Sequence, residues 1–261
     1  MCSSDLIIDK LIAHVPAKFG RYFEPFAGGA ALFFALSARG YLSKAAILGE
    51  SNALLVNAYT QVKIAVEPLI RELGKLKYDE TVYYDVRETF PMGSPVMRAA
   101  QLIYLNRACF NGLWRVNKKG KFNVPFGKYA NPTICDADNL RRVSKALRTT
   151  GLMAADFEKV AMQAAAGDFV YFDPPYWPAD SEYGDFTEYN KEPFGPPEQE
   201  RLRDVALMLK KRGVKVLLSN ADVEPVRKLY ARGFNVHHIE AKRAINSKVT
   251  RRGNVGELLI T

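Results

Sequence analysis

The chain has 261 residues, with 37 Lys and Arg against 28 Asp and Glu and a formal net charge of +9. At about 150 residues per domain this allows one large domain or one domain carrying a sizeable insertion. A hydrophobic fraction of 48% with 25% charged side chains excludes a disordered or fibrous chain. Cys2, Cys109 and Cys135 share no close spacing, so neither a disulfide scaffold nor a zinc site is indicated. No apolar run reaches the roughly 18 residues of a membrane span. The start, Met1-Cys2-Ser3-Ser4-Asp5, lacks a basic segment followed by an apolar one, so a soluble, cytoplasmic protein is expected.

Residues 21–66 read as strand, glycine turn, helix, strand, helix. The aromatic run Arg21 to Phe26 leads through Ala27-Gly28-Gly29-Ala30 into a helix-forming stretch, Ala31 to Leu36, that ends near Gly40. Ala45 to Leu48 makes a short buried strand, and Asn57, Tyr59 and Val62 lie on a second helical pattern. This alternation predicts a parallel sheet with crossover helices. It stops from about Lys63 to Arg148, where Tyr78 to Glu88 and Val96 to Leu105 read as helices around a turn at Pro91, Gly93 and Pro95. Asn106 to Tyr129 holds two turn signals, Asn111-Gly112 and Lys119-Gly120, and reads as a hairpin or irregular loop. The alternation then resumes with strands at 169–172, 214–218, 235–239 and 257–260 and helices at 197–212 and 223–231. The expected architecture is one α/β domain, residues 1–62 and 149–261, interrupted by an insertion at 63–148.

The charge is unevenly spread. Residues 1–97 hold 10 basic and 10 acidic side chains and residues 149–261 hold 16 of each, so the whole excess lies in 98–148, with 11 basic residues against Asp136 and Asp138. Mixed with Tyr, Phe, Trp and Asn, that excess is the footprint of a polyanion contact; a solvated basic face without a ligand has the same composition.

The sharpest motif is Asp173-Pro174-Pro175-Tyr176, directly after the 169–172 strand. Open α/β sheets bind ligands beyond the carboxyl ends of their strands. Two prolines fix their φ angles and donate no amide hydrogens, which makes a stiff, acceptor-rich turn. The Asp173 carboxylate and the Pro174 carbonyl can each accept a hydrogen from one exocyclic amine, and Tyr176 offers a stacking face. A proline-rich strand exit with a capping Asp is the plainer alternative. In the same way Glu24-Pro25-Phe26-Ala27-Gly28-Gly29-Ala30 is either a cofactor-binding turn at a helix N-terminus, with Glu50 placed for ribose hydroxyls, or simply a tight turn. It lacks the spacing of dinucleotide and P-loop motifs.

Together these blocks resemble a DNA adenine-N6 methyltransferase of the Dam type (D12 class). The most specific part is central: Tyr104-Leu105-Asn106-Arg107, Phe110-Asn111-Gly112-Leu113, Arg115, Asn117, Gly120 and Phe122-Asn123-Val124-Pro125-Phe126-Gly127-Lys128-Tyr129. Phe186, Tyr189, Phe194, Ser219-Asn220, Arg243, Ile245-Asn246-Ser247 and Gly256 to Ile260 also fit, so the resemblance runs from about Leu11 to the end. It implies a Rossmann-like S-adenosylmethionine-dependent methyltransferase sheet with an inserted, mainly helical target-recognition domain carrying a β-hairpin. It further implies that Phe26, Ala27, Gly28, Gly29 and Ala30 hold the methionine part of S-adenosylmethionine, Glu50 its ribose, and Asp156 and Phe157 its adenine. Asp173, Pro174, Pro175 and Tyr176 would hold the target adenine. Phe110, Asn111, Leu113, Arg115 and Asn117, with Asn123, Pro125, Lys128 and Tyr129 on the return, would probe double-stranded DNA.

Physical chemistry adds detail to that assignment. The adenine amine is unreachable inside a duplex, so the base must be flipped out. Phe110 is suited to fill the gap, Arg115 to pair with a guanine edge, and Lys118, Lys119 and Lys121 to contact phosphates. No metal is expected, and a monomer is the working expectation. Family members usually begin with a Lys-Trp-Ala-Gly-Gly/Ser-Lys segment that helps close the cofactor site, whereas this chain starts Met1-Cys2-Ser3-Ser4-Asp5-Leu6. Two further departures are Ala30 in place of a second spaced Gly and Glu50 in place of the commoner Asp. The missing leading segment keeps a second reading open, a catalytically impaired DNA-binding protein. A protein-glutamine or RNA methyltransferase would favour Asn at position 173 and leaves the hairpin block unexplained. His237 and His238, without spaced Cys or Glu partners, read as structural or surface residues, and Trp177 either shapes the pocket beside the turn or simply packs.

Overall fold

The computed structural model describes residues 8–177, 194–242 and 254–261. Met1 to Leu6, Phe186, Tyr189, Arg243, Ile245, Asn246 and Ser247 lie outside the described residues. In chain order the elements are α1 (Ile8–Ala13), β1 (Tyr22–Glu24), α2 (Ala31–Ala38), β2 (Ala46–Glu50), α3 (Ala53–Ile64), α4 (Val66–Gly74), α5 (Glu80–Thr89) and α6 (Pro95–Ala108). A 3-10 turn at Phe110–Gly112 follows, then α7 (Ala137–Leu147), β3 (Gly151–Ala154), α8 (Phe157–Ala161), β4 (Phe169–Phe172), α9 (Pro196–Lys211), β5 (Lys215–Ala221), α10 (Glu224–Tyr230), β6 (Val236–Lys242) and β7 (Asn254–Ile260).

The chain forms two compact units, Met1–Ser51 with Met153–Thr261, and Asn52–Leu152. The sheet has the order β3-β2-β1-β4-β5-β7-β6. Its first five strands follow the Rossmann sequence, which reverses direction between β1 and β4. The pairings of β1 with β2 and β4, and of β4 with β5, are parallel, while β7 runs antiparallel between β5 and β6. Phe169-Val170-Tyr171-Phe172 is buried along its whole length, the continuous apolar run expected of a strand covered on both faces. Over β2, α8 packs so closely that a Cβ on Gly49 would lie 2.5 Å from Val160 Cγ2. Helix α9 starts with Pro196 at its first position and Glu198 in its first turn and ends on Lys210 and Lys211, the charge order that the helix dipole favours.

In the Asn52–Leu152 unit, four side chains start helices: Asn52 caps α3, Asp79 caps α5, Ser94 caps α6 ahead of Pro95, and Asp136 caps α7. Buried Tyr83 and Tyr104 satisfy their hydroxyls on the Val124 and Lys77 carbonyls, both at 2.8 Å. The unit starts at Asn52 rather than at 63, because α3 packs on α6 and α7. Alternation along the sequence groups α3 with the sheet, whereas its buried Ala58, Gln61 and Val62 serve the other core. The sequence reading also leaves out α1, α4, α7, β3 and α8; the last two are only four and five residues long. Between 106 and 129 there is no regular strand pair, only isolated antiparallel bridges, Cys109 with Phe126 and Val116 with Phe122. No helix among the described residues is long and apolar enough to cross a membrane.

Asp168, just before β4, accepts hydrogen bonds from the backbone N–H groups of Arg21 and Ala165 and from the Arg21 guanidinium. Burial opposes its ionisation, but these donors outweigh burial and hold the carboxyl below its usual range. A lowered carboxyl pKa contributes stability above the unfolded value of about 3.9, lost as pH falls through the folded value. Asp168→Asn should therefore destabilise the protein by about 1–3 kcal/mol at pH 7. Thermal melts should show that deficit shrinking towards pH 3.

Candidate active site

The carboxyl ends of β1, β2, β4 and β5 carry the residues with chemistry. Asp173 follows β4 and is anchored by Ser219 of β5, whose hydroxyl donates to Oδ1 at 2.7 Å. Tyr171 places its hydroxyl 3.1 Å from the same Ser219 Oγ. The rest of the turn is fastened by a buried amide pair. Gln199 of α9 donates from Nε2 to the Pro175 carbonyl at 3.0 Å, and Asn220 donates to Gln199 Oε1 at 3.0 Å. Asn220 Oδ1 in turn accepts the Trp177 N–H at 3.1 Å. Tyr176 donates to Glu257 Oε2 on β7 at 3.3 Å. Ser219, Asn220, Gln199 and Glu257 are all fully buried, so the turn rests on a satisfied polar platform rather than on solvent.

The turn after β1 forms the second part. Ala27 donates to the Gly49 carbonyl at 2.8 Å, tying the turn to β2. Gly28 has φ +46° and Ala30 φ 51°, so the chain turns through two left-handed residues before α2. A Cβ at Gly28 or Gly29 would meet nothing within 4 Å. The backbone there faces open space, and φ, not crowding, demands glycine at 28. Gly28 N–H donates to Glu50 Oε2 at 3.2 Å, which brings the predicted ribose ligand to the glycine turn. Phe26 stacks on Phe157 with ring centroids 5.0 Å apart, and Phe194 meets Phe26 edge-on. These rings, with Ser51, Ala155 and Asp156, line a cavity of about 410 Å³, within the size range of small-molecule sites. Phe26 also contacts Phe172, the residue before Asp173. An open glycine cradle, a carboxylate beside it and an aromatic cavity of this size fit S-adenosylmethionine.

Asp156 caps α8 and pairs with both terminal nitrogens of Arg201, at 2.8 and 3.0 Å. That hydrogen bonding holds its carboxyl below the usual range, so it is an acceptor at neutral pH. Arg201 also contacts Glu158 and Glu198, and its guanidinium lies 4.2 Å from the Phe157 ring centroid. Sequence reasoning misses Arg201 and Gln199. Arg201 looks like an ordinary surface i,i+3 partner of Glu198, and a lone Gln on a polar helix carries no signal.

In the other unit, Phe110, Leu113 and Trp114 are exposed, as are Lys118 and Lys119, which make no ion pair among the described residues. Lys121 instead pairs with Glu88 at 3.0 Å. Arg115 donates from Nε and Nη2 to the side chain and carbonyl of Asn123. Asn117 accepts the Lys119 and Lys121 N–H groups and so builds the turn itself. The Tyr129 hydroxyl accepts from Asn111 N–H at 2.7 Å and donates to the Cys109 carbonyl, holding Asn111 at φ 53°. Phe110 N–H closes on the Pro125 carbonyl at 2.8 Å, and Lys128, itself at φ 52°, is exposed. His238 contacts Asp222 at 2.9 Å and His237 contacts Thr261.

The D12 class N6 adenine-specific DNA methyltransferase family matches residues 5–245. The Type II methyltransferase M1.LlaDCHI of Lactococcus lactis subsp. cremoris is 40% identical over 265 residues, covering 97% of this chain and 91% of that protein. The Type II methyltransferase M.MjaIII of Methanocaldococcus jannaschii is 43% identical over 255 residues, covering 92% and 87%. The DNA adenine methylase of Escherichia coli K12 is 33% identical over 258 residues, covering 97% and 90%.

Glu24, the last residue of β1, is buried and accepts the Tyr22 hydroxyl at 2.8 Å. Burial, reinforced by the charge of Asp173, raises its carboxyl to about 8 against the hydrogen bond from Tyr22. The folded chain therefore holds a proton there that the unfolded chain releases near 4.5. Stability is fully present below that value and falls as pH rises to about 8. Melting temperatures measured from pH 5 to 9 should show that decline in the wild type and its loss in Glu24→Gln.

Proposed function

The chain belongs to the D12 class N6 adenine-specific DNA methyltransferase family and methylates adenine in DNA site-specifically, and on that premise we propose a role for each part of the site. The observation that carries the reading is the Asp173 carboxylate, held by Ser219 at the end of β4 next to the Phe26 and Phe157 cavity. S-adenosylmethionine, when bound, supplies a methyl carbon made electrophilic by its sulfonium. The glycine turn, Glu50, Asp156 and Phe157 bind it. Asp173 and the Pro174 carbonyl each accept one hydrogen of the target amine, which orients the nitrogen lone pair, and Tyr176 stacks on the ring. Asp173 also holds the hydrogen that leaves once the nitrogen is alkylated.

The Asn52–Leu152 unit reads double-stranded DNA. It holds 16 basic and 8 acidic residues, against 21 and 20 in the rest of the chain. Asn123 occupies the Nε side of Arg115, which leaves the end-on fork, one hydrogen on each Nη, for a guanine edge. Exposed Phe110 and Leu113 suit the gap left by a flipped adenine. Asn117, Asn123 and Tyr129, whose side chains bond within the loop, shape that surface. The cytoplasm is the compartment in which such an enzyme meets its DNA. The Type II names of two relatives support a restriction–modification setting.

Incubation with duplex DNA and S-adenosylmethionine, followed by nucleoside mass analysis, should yield N6-methyladenine; none at a saturating donor concentration, verified by calorimetry, sinks the reading. Asp173→Ala should slow transfer by about 100-fold or more, with duplex affinity unchanged. Lys119→Ala should weaken binding to all duplexes alike and reduce the salt slope by about 1. Arg115→Ala should instead relax sequence choice, read by competition between cognate and scrambled duplexes.

A further inference from the structure

We propose that Tyr171 and Ser219 are positioning residues, a two-hydroxyl relay that fixes the plane of the Asp173 carboxylate against the target amine. The inference rests on the reading of Asp173 given above. Register explains how three separated residues meet. Phe172 pairs with Leu218, so Asp173 and Ser219 fall one step beyond on neighbouring parallel strands. Tyr171 lies two residues before Asp173 and projects from the same face of the sheet.

The direction of the relay follows from hydrogen counting. A serine hydroxyl has one hydrogen, and Ser219 places its own 2.7 Å from Asp173 Oδ1. In the 3.1 Å contact with Tyr171, Ser219 is therefore the acceptor and the phenol the donor. Burial, with the charge of Asp173 next in weight, keeps that phenol protonated. The chain runs Tyr171 to Ser219 to Asp173, and each donor strengthens the next. The other titratable groups facing this cluster are Tyr22 and Glu24 of β1 and Tyr176 of the turn. Glu24 stays protonated at pH 7, so Asp173 supplies the negative charge on which the relay ends.

A carboxylate turns easily about its terminal torsion, a broad and nearly two-fold well. Anchoring Oδ1 makes the two oxygens inequivalent and sets the plane in which the amine hydrogen is accepted. Tyr171 and Ser219 are both fully buried. Phe and Ala would fill the same space without polar atoms to satisfy, so packing alone does not call for these hydroxyls.

The test is a double-mutant cycle in the full-length protein with a cognate duplex, measuring single-turnover transfer at saturating donor and DNA, dissociation constants for both, and melting temperature. Ser219→Ala should slow transfer about 10-fold and Tyr171→Phe about 3-fold, with both dissociation constants within twofold of wild type. The double variant should be no slower than Ser219→Ala, because the phenol acts only through the serine. Transfer by Ser219→Ala within twofold of wild type, or two effects that multiply, overturns the relay. If Ser219→Ala does not fold, Tyr171→Phe decides alone: a threefold loss at unchanged affinities supports the relay and a wild-type rate overturns it. Asp173→Ala separates the two levels. If it transfers normally, the reading of the active site itself fails; if it is inactive while Ser219→Ala is normal, only the relay fails.

Discussion

The parallel pairing of β4 between β1 and β5 is the constraint on which the rest of this protein depends. Its four residues are buried and its backbone groups are engaged on both edges, so the strand itself has nothing to offer a ligand. Chemistry begins where the pairing stops. Parallel strands all end on the same side, so one constraint brings the exits of β1, β2, β4 and β5 together. The order reverses between β1 and β4, which opens the crevice there for a ligand.

Each exit then solves a different problem. After β1 the chain has to turn sharply without filling the crevice, and left-handed Gly28 and Ala30 achieve this. After β4 it has to present acceptors without donors, and two prolines do so. The end of β5 supplies Ser219 and Asn220, whose side chains hold the β4 turn. In the proposed role, a carboxylate held this way needs no reorganisation when substrate arrives, and such preorganised polar groups are usually a large part of catalysis.

Charge is divided unevenly between the two units. The unit with the sheet is close to neutral, and part of its charge is paired internally, as with Arg201 and its three carboxylates. The excess lies in the Asn52–Leu152 unit. Even there it is selective: Arg141 is absorbed by Glu67 and Asp138 and Lys121 by Glu88, while Lys118 and Lys119 stay exposed at the loop. The pattern of pairing, rather than bulk charge, singles out Lys118 and Lys119 as the loop lysines with no ion pair among the described residues.

Local chemistry was legible from the sequence because it lies in contiguous residues. Asp173-Pro174-Pro175-Tyr176 is stiff and acceptor-rich wherever it sits, the glycine turn needs residues that tolerate positive φ, and the apolar run of β4 reads as a doubly covered strand. The alternation of strands and helices was legible for the same reason, while a helical pattern does not say which core α3 faces. Side-chain partnerships were settled only by the tertiary structure. Ser219 lies 46 residues from Asp173 and Asn220 lies 21 from Gln199; Arg201 lies 45 from Asp156. Tyr129, which the sequence offers as a DNA contact, spends its hydroxyl on the Phe110–Gly112 turn. A residue type states which hydrogen bonds a side chain can make. Strand register and helix packing decide which partner lies within 3 Å, and no local pattern encodes that distance.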